Sequence, residues 1–258
     1  MTGVPRALRR TLVTGAALGA VACADLLVLQ AVLAVRREYV SADSAPPVSG
    51  DFGDPADPTV RVAILGDSTA AGVGVEDTVH TVGGRLASLL AAEHLHIRLS
   101  GAAISGSRAG DLGPQVSRAL LNDPHVAVVL IGSNDATHAT PLARVRSSLV
   151  DAVRRCRTAG VAVVLGTCPD LGATRAVARP LRDVLAYYGR RVATTQADAG
   201  RWAGALVVDL AARTGPSFRA DPQATLCADG FHPSAAGYDL WARALLPAVQ
   251  QAIGIRVP

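Results

Sequence analysis

The stretch TVRVAILGDSTAAG, residues 59–72, decides the fold. Val60 to Leu65 forms a short apolar run that stops at Gly66-Asp67-Ser68. A run that is continuous rather than alternating suits a strand buried on both faces of a parallel sheet. Four more such runs follow: Ile97–Leu99, Val126–Ile131, Val161–Leu165 and Ala205–Val208. Helix-period segments lie around them, near 79–92, 111–121, 141–158, 174–196 and 234–253. Within 141–158, Leu142, Val145, Leu149, Val153 and Cys156 recur on one face, so Cys156 reads as core. This alternation predicts an α/β chain, a three-layer α/β/α sandwich with a five-stranded parallel sheet. Such sheets bind ligands beyond the carboxyl ends of their strands, so the chemistry belongs just after the five runs.

Composition narrows the classes. The chain has 258 residues, 50% hydrophobic and 18% charged, which suits a folded body and not a disordered chain. Its 25 basic residues are all arginine. Without lysine there is no Walker A phosphate loop, no Schiff base and no Ser–Lys hydrolysis. The four cysteines, Cys23, Cys156, Cys168 and Cys227, form no C-x-x-C pair, which argues against a zinc knuckle. The net charge of +4 comes with no basic run interleaved with aromatics, so no nucleic-acid partner is expected. Gly72-Val73-Gly74 is a fragment of a dinucleotide fingerprint that lacks its third glycine. No Gly-x-Ser-x-Gly elbow follows a strand, which disfavours an α/β-hydrolase.

The amino-terminal part reads separately, as residues 1–40 ahead of a linker, 41–58, and a body, 59–258. Thr11 to Val35 carries one formal charge, Asp25, and is flanked by Arg6, Arg9 and Arg10 before and Arg36 and Arg37 after. Its 25 residues are long enough to cross a bilayer as a helix, although Asp25 opposes insertion. An uncleaved signal anchor is the first reading, with the body outside the cell membrane. A signal peptide cleaved after Ala22-Cys23-Ala24, giving a secreted protein, and an apolar helix packed on the body or on a membrane surface remain open. The linker, SADSAPPVSGDFGDPADP, is rich in Pro, Gly, Asp and Ser and reads as extended.

The residues after the runs are distinctive: Gly66-Asp67-Ser68, then Ile104-Ser105-Gly106, then Gly132-Ser133-Asn134-Asp135, and Asp229-Gly230-Phe231-His232-Pro233 before the last helix. In this order they resemble the SGNH (GDSL-like) hydrolase family over about 59–254. Gly-Asp-Ser-Thr-Ala-Ala-Gly (66–72) and Gly-Thr-Cys-Pro-Asp-Leu-Gly (166–172) look most like its secreted or membrane-anchored actinobacterial branch. The resemblance implies a flavodoxin-like sandwich and a serine ester hydrolase with no metal or organic cofactor. It makes Ser68 the nucleophile, His232 the general base and acid, and Asp229 the residue that orients the imidazole. It assigns the oxyanion donors to the backbone N–H groups of Ser68 and Gly106 and to the Asn134 amide.

The chain departs from the family at Ser100-Gly101-Ala102-Ala103, where an Asn often precedes the glycine, and at Thr69, where the family name has Leu. Asp135 reads as structural, holding its turn. The region between the third and fourth strands is short, which favours a small or exposed acyl ester. Lipid and acylated-glycan esters both remain possible substrates. Two other readings stay open: a cell-envelope acyltransferase using the same triad, and a non-catalytic binding domain on a membrane anchor. His94 and His96 lack a third metal ligand. Outside the cytoplasm Cys168 and Cys227 could pair. Tyr187, Tyr188 and Trp202 either line a substrate groove or pack in the core.

Overall fold

The computed structural model describes residues 22–254. Six strands form one sheet: β1 (Gly50–Phe52), β2 (Thr59–Gly66), β3 (His96–Gly101), β4 (Val126–Leu130), β5 (Ala162–Gly166) and β6 (Leu206–Val208). Their spatial order is β1-β3-β2-β4-β5-β6. β2 to β6 run parallel, and β1 pairs antiparallel with β3, Gly50 opposite Leu99. The five predicted runs are thus the five parallel strands. The sheet as a whole is six-stranded and mixed, because 41–58 supplies an edge strand and a buried core residue, Val48. Pro, Gly and Asp around Gly50–Phe52 hid a three-residue strand, too short to show a period.

Residues 22–36 are helical and are called α1. The other helices are α2 (Val82–Ala91), α3 (Leu112–Leu120), α4 (Ser133–Thr137), α5 (Leu142–Thr158), α6 (Leu181–Ala203), α7 (Leu210–Ala220), α8 (Pro222–Thr225) and α9 (Ala235–Ala252). Alternate residues of β2 feed two cores, as the period of a strand demands. Val62 and Ile64 pack with Leu86 and Leu90 of α2 and with Tyr238, Trp241 and Leu245 of α9. Ala63 and Leu65 face the other way, toward Leu112 and Val116 of α3, Leu149 and Val153 of α5, and Ala199 of α6. Cys156 is buried in this second core, as expected.

The segment expected to be helical over 174–196 is helical over Leu181–Ala203 instead. Pro180 disfavours helical backbone at the residue before it, so 174–179 stays a loop. The helix then runs on until Gly204 adopts a left-handed conformation, φ 91°. α4, α7 and α8 were not foreseen: α4 and α8 are short and α7 carries Pro216.

The strand order reverses direction at β2, with β3 on one side and β4 on the other. That reversal opens a crevice at the carboxyl ends of β2, β3 and β4. The loops leaving these three strands carry Ser68, Gly106 and Asn134.

Residues 11–21 of the stretch Thr11–Val35, and with them the choice between anchor and cleaved peptide, lie outside the described residues. Among the described residues, no helix is long and apolar enough to cross a membrane.

Candidate active site

β2 ends at Gly66, where φ is 141° and an added Cβ would lie 1.7 Å from the Leu130 carbonyl oxygen. Only glycine fits there, and the chain leaves the sheet directly beside β4. A helix-like turn follows, in which the Val73 N–H donates to the Ser68 carbonyl at 3.0 Å. Asp67 stabilises it by accepting from the Thr69 N–H (3.0 Å) and hydroxyl (2.7 Å). Burial pushes the Asp67 carboxyl up to about 6, against the pull of the two Thr69 bonds. From α9, the buried Tyr238 hydroxyl donates to the Val73 carbonyl at 2.6 Å and pins the far side of the turn.

The last loop brings two more residues to Ser68. Ser234 caps α9 by accepting from the Gly237 N–H, which fixes the chain just after His232. The Ser68 Oγ lies 3.0 Å from His232 Nε2, and His232 Nδ1 lies 2.6 Å from Asp229 Oδ2. A carboxylate only accepts, so Nδ1 carries a proton and Nε2 is free to accept from the serine. All three residues are buried.

Burial alone would raise the Asp229 carboxyl. Bonds from the His232 side chain, the Phe231 and His232 N–H groups and the Cys227 thiol outweigh it and hold the group well below the usual carboxylate range. The carboxylate is therefore charged wherever the imidazole needs it.

Gly106 and Asn134 line the same groove as Ser68 and His232. Gly106 has φ 80° and open space where a Cβ would stand, so its backbone conformation is the reason for glycine. Asn134 donates one amide hydrogen to the Ser107 carbonyl at 3.1 Å, which leaves the other for a ligand. Asp135 is structural but reaches farther than its own turn: its Oδ2 accepts from the Ala109 N–H at 2.9 Å and ties the β3 loop to the β4 loop.

Two buried glutamines, missed at the level of sequence, brace these loops. Gln115 of α3 accepts from the Gly66 N–H at 2.8 Å and donates to the Gly66 carbonyl and the Ser107 hydroxyl, both at 3.0 Å. Gln196 of α6 donates to the Ile131 carbonyl and accepts from the Cys168 N–H, both at 2.7 Å. The available signal was a lone amide on an apolar helix face, between Leu112 and Val116 in one case and between Val192 and Ala199 in the other. Tyr39 and Val40 were also missed; they belong to the groove and come from ahead of the body.

Of the other sequence candidates, only Cys227 touches the Ser68–His232–Asp229 line, through its bond to Asp229. Cys168 and Cys227 are free thiols, Cys168 fully buried. His96 meets Asp51 of β1 at 3.4 Å, and the described residues hold no cluster fit for a metal ion. Tyr187 and Trp202 are exposed, and Trp202 lies under the Arg154 guanidinium, 4.1 Å from its ring centre. The Tyr188 hydroxyl donates to the Thr140 carbonyl at 2.7 Å.

The model of the GDSL-like lipase/acylhydrolase family matches residues 64–240. A GDSL-like esterase of Mycobacterium tuberculosis is 39% identical over 197 residues, which are 75% of this chain. The chain spans 63% of the length of that relative. The fold is shared with a lipase/acylhydrolase from Enterococcus faecalis, at TM-score 0.59 and 21% identity over 77% of this chain and 100% of the other. It is shared also with the acetylxylan esterase Axe2 of Geobacillus stearothermophilus, at TM-score 0.53 and 20% identity over 79% of this chain and 96% of the other. Matched from the end of β2 into α9, with its serine, histidine and aspartate joined in one hydrogen-bonded line, the chain belongs to the GDSL-like lipase/acylhydrolase family.

Proposed function

We propose that the protein is a serine ester hydrolase working through an acyl-enzyme on Ser68. The observation that carries this reading is the unbroken line Ser68 Oγ, His232 Nε2, His232 Nδ1, Asp229 Oδ2. As Oγ attacks the ester carbonyl, its proton passes to Nε2, and the charged Asp229 stabilises the imidazolium that forms. The new oxyanion lies against the N–H groups of Ser68 and Gly106 and the free hydrogen of the Asn134 amide. Collapse of the intermediate expels the alcohol, which takes the proton from Nε2. Water then repeats the sequence on the acyl-enzyme and frees the acid and Ser68.

An acyltransferase would share every step up to the acyl-enzyme and differ only in its acceptor. No described residue favours a sugar acceptor over water, so hydrolysis is the reading we adopt. Attachment of the amino-terminal segment to a membrane, with the body outside the cell, is part of the proposal; the exposed Leu26, Leu29 and Leu33 of α1 support the attachment.

The test is hydrolysis of p-nitrophenyl esters by the full chain. Turnover that disappears in Ser68→Ala and in His232→Ala, with unchanged circular dichroism, is the expected result. Turnover that persists in Ser68→Ala would refute the nucleophile.

A further inference from the structure

The groove above Ser68 has a volume of about 460 Å³ and two walls of different origin. Val177, Leu181 and Leu185, from the loop before α6 and from α6 itself, form one. Ala31, Ala34 and Val35 of α1, with Tyr39 and Val40, form the other. The body alone would leave this side open.

Four residues seat the second wall. The Gln30 amide donates to the Arg179 carbonyl at 2.7 Å and accepts from the Leu181 N–H at 3.0 Å, so one side chain fastens α1 to the start of α6. The Arg37 guanidinium donates to the Ala176 carbonyl at 3.5 Å. The Val40 N–H donates to Asp229 Oδ2 at 3.2 Å, the same oxygen that accepts the hydrogen bond from His232 Nδ1. The Tyr39 ring stands edge-on to the His232 imidazole, 6.5 Å between centres, and to Phe231 at 5.7 Å. The segment thus reaches the triad itself as well as the groove rim.

We infer that residues 30–40 are a working wall of the active site and that Ala31 and Ala34 keep the groove wide enough for an apolar, medium-length acyl chain. This rests on the reading of Ser68 as an esterase nucleophile. The short region between the third and fourth parallel strands favours a small acyl group, but α1 adds a wall from outside that region, and an acetyl group would leave most of the apolar lining without a partner. A longer chain would gain roughly fourfold in kcat/KM for each methylene it buries there. Small side chains at 31 and 34 are one helical turn apart on the face of α1 turned to the groove, so a large residue at either position fills the space the chain needs.

The experiment measures kcat/KM of the full-length protein on p-nitrophenyl esters from acetyl to decanoyl. The expected profile rises from acetyl toward octanoyl. Ala31→Trp and Ala34→Trp each lower the octanoyl-to-acetyl ratio by at least about tenfold, a loss equal to some two buried methylenes. Gln30→Ala, which unfastens α1, lowers the same ratio by a smaller factor. Val28→Ser, on the exposed side of the helix, leaves it unchanged. A Ser68-dependent esterase whose ratio is the same in wild type, both tryptophan variants and Gln30→Ala would overturn the wall and leave the esterase reading standing. Absence of turnover on every ester would overturn both.

Discussion

Replacing Gln115 by methionine isolates the work of one buried amide. The substitution keeps an unbranched chain of similar length and removes three hydrogen bonds. The Gly66 carbonyl keeps a donor, the Ile104 N–H at 3.1 Å, but the Gly66 N–H is left buried with no partner. An orphaned donor costs about 1–3 kcal/mol, and each of the other two bonds contributes about 1 kcal/mol net. The methionine recovers a part of this through its apolar surface, so we expect a loss of about 2–4 kcal/mol. For a body of this size that corresponds to roughly 5–15 °C in melting temperature. Urea unfolding of the full chain, followed by circular dichroism, measures it directly. Ester hydrolysis supplies the second readout: Ser107 holds the Asn134 amide, so kcat should fall while KM changes little. An unfolding free energy within about 0.5 kcal/mol of the parent, the range of an ordinary surface change, would refute the bracing role.

Other outcomes follow from the same geometry. On the proposed mechanism the Asn134 amide meets its partner fully only in the transition state, so Asn134→Ala should lower kcat by about 10²–10³ with KM nearly unchanged; a normal kcat would remove Asn134 from the oxyanion site. Gly66→Ala should yield almost no folded protein, since its Cβ would overlap the Leu130 carbonyl; a soluble variant with native circular dichroism would contradict the packing at the end of β2. Asp67 is raised by burial to about 6, so the folded state holds its proton more tightly than the unfolded chain does. The stability this confers is complete below about pH 4 and is lost as the pH rises through about 6, a difference of about 3 kcal/mol by pH 7. Asp67→Asn keeps an acceptor for Thr69 and should flatten that slope; equal slopes in urea titrations at pH 4 and pH 7 would show that Asp67 is not its source.

What the sequence made legible follows from periodicity and from local motifs. Val60–Leu65 and Val126–Ile131 read as strands because burial on both faces removes any need for polar alternation. Ser68, Asn134, Asp229 and His232 stood out because each lies next to a strand end or a helix start. The edge strand at Gly50–Phe52 did not, since its identity comes from pairing with β3 and not from its own composition. The start of α6 was displaced by Pro180, whose effect on its neighbour outweighed the apolar residues before it. Gln115 and Gln196 escaped because a polar residue on a helix gives no sign of the carbonyl or N–H it will meet across the fold. The contribution of Ala31, Ala34 and Tyr39 to the groove was hidden for the same reason: it depends on where α1 returns in space, which nothing local encodes.

The three-residue β1 has a further consequence, for how the molecule meets its own copies. β3 would otherwise be the outer strand on that side, with a row of free N–H and C=O groups offered to any passing strand. Gly50, Asp51 and Phe52 occupy that row, and the exposed Asp51 lies within reach of His96 and Arg98. A chain cut at residue 59 would uncover β3 and take Val48 out of the core. Such a fragment would keep every triad residue and still be prone to pair edge to edge. The segment that composition marks as a tether is therefore what keeps the sheet from growing into a neighbouring molecule.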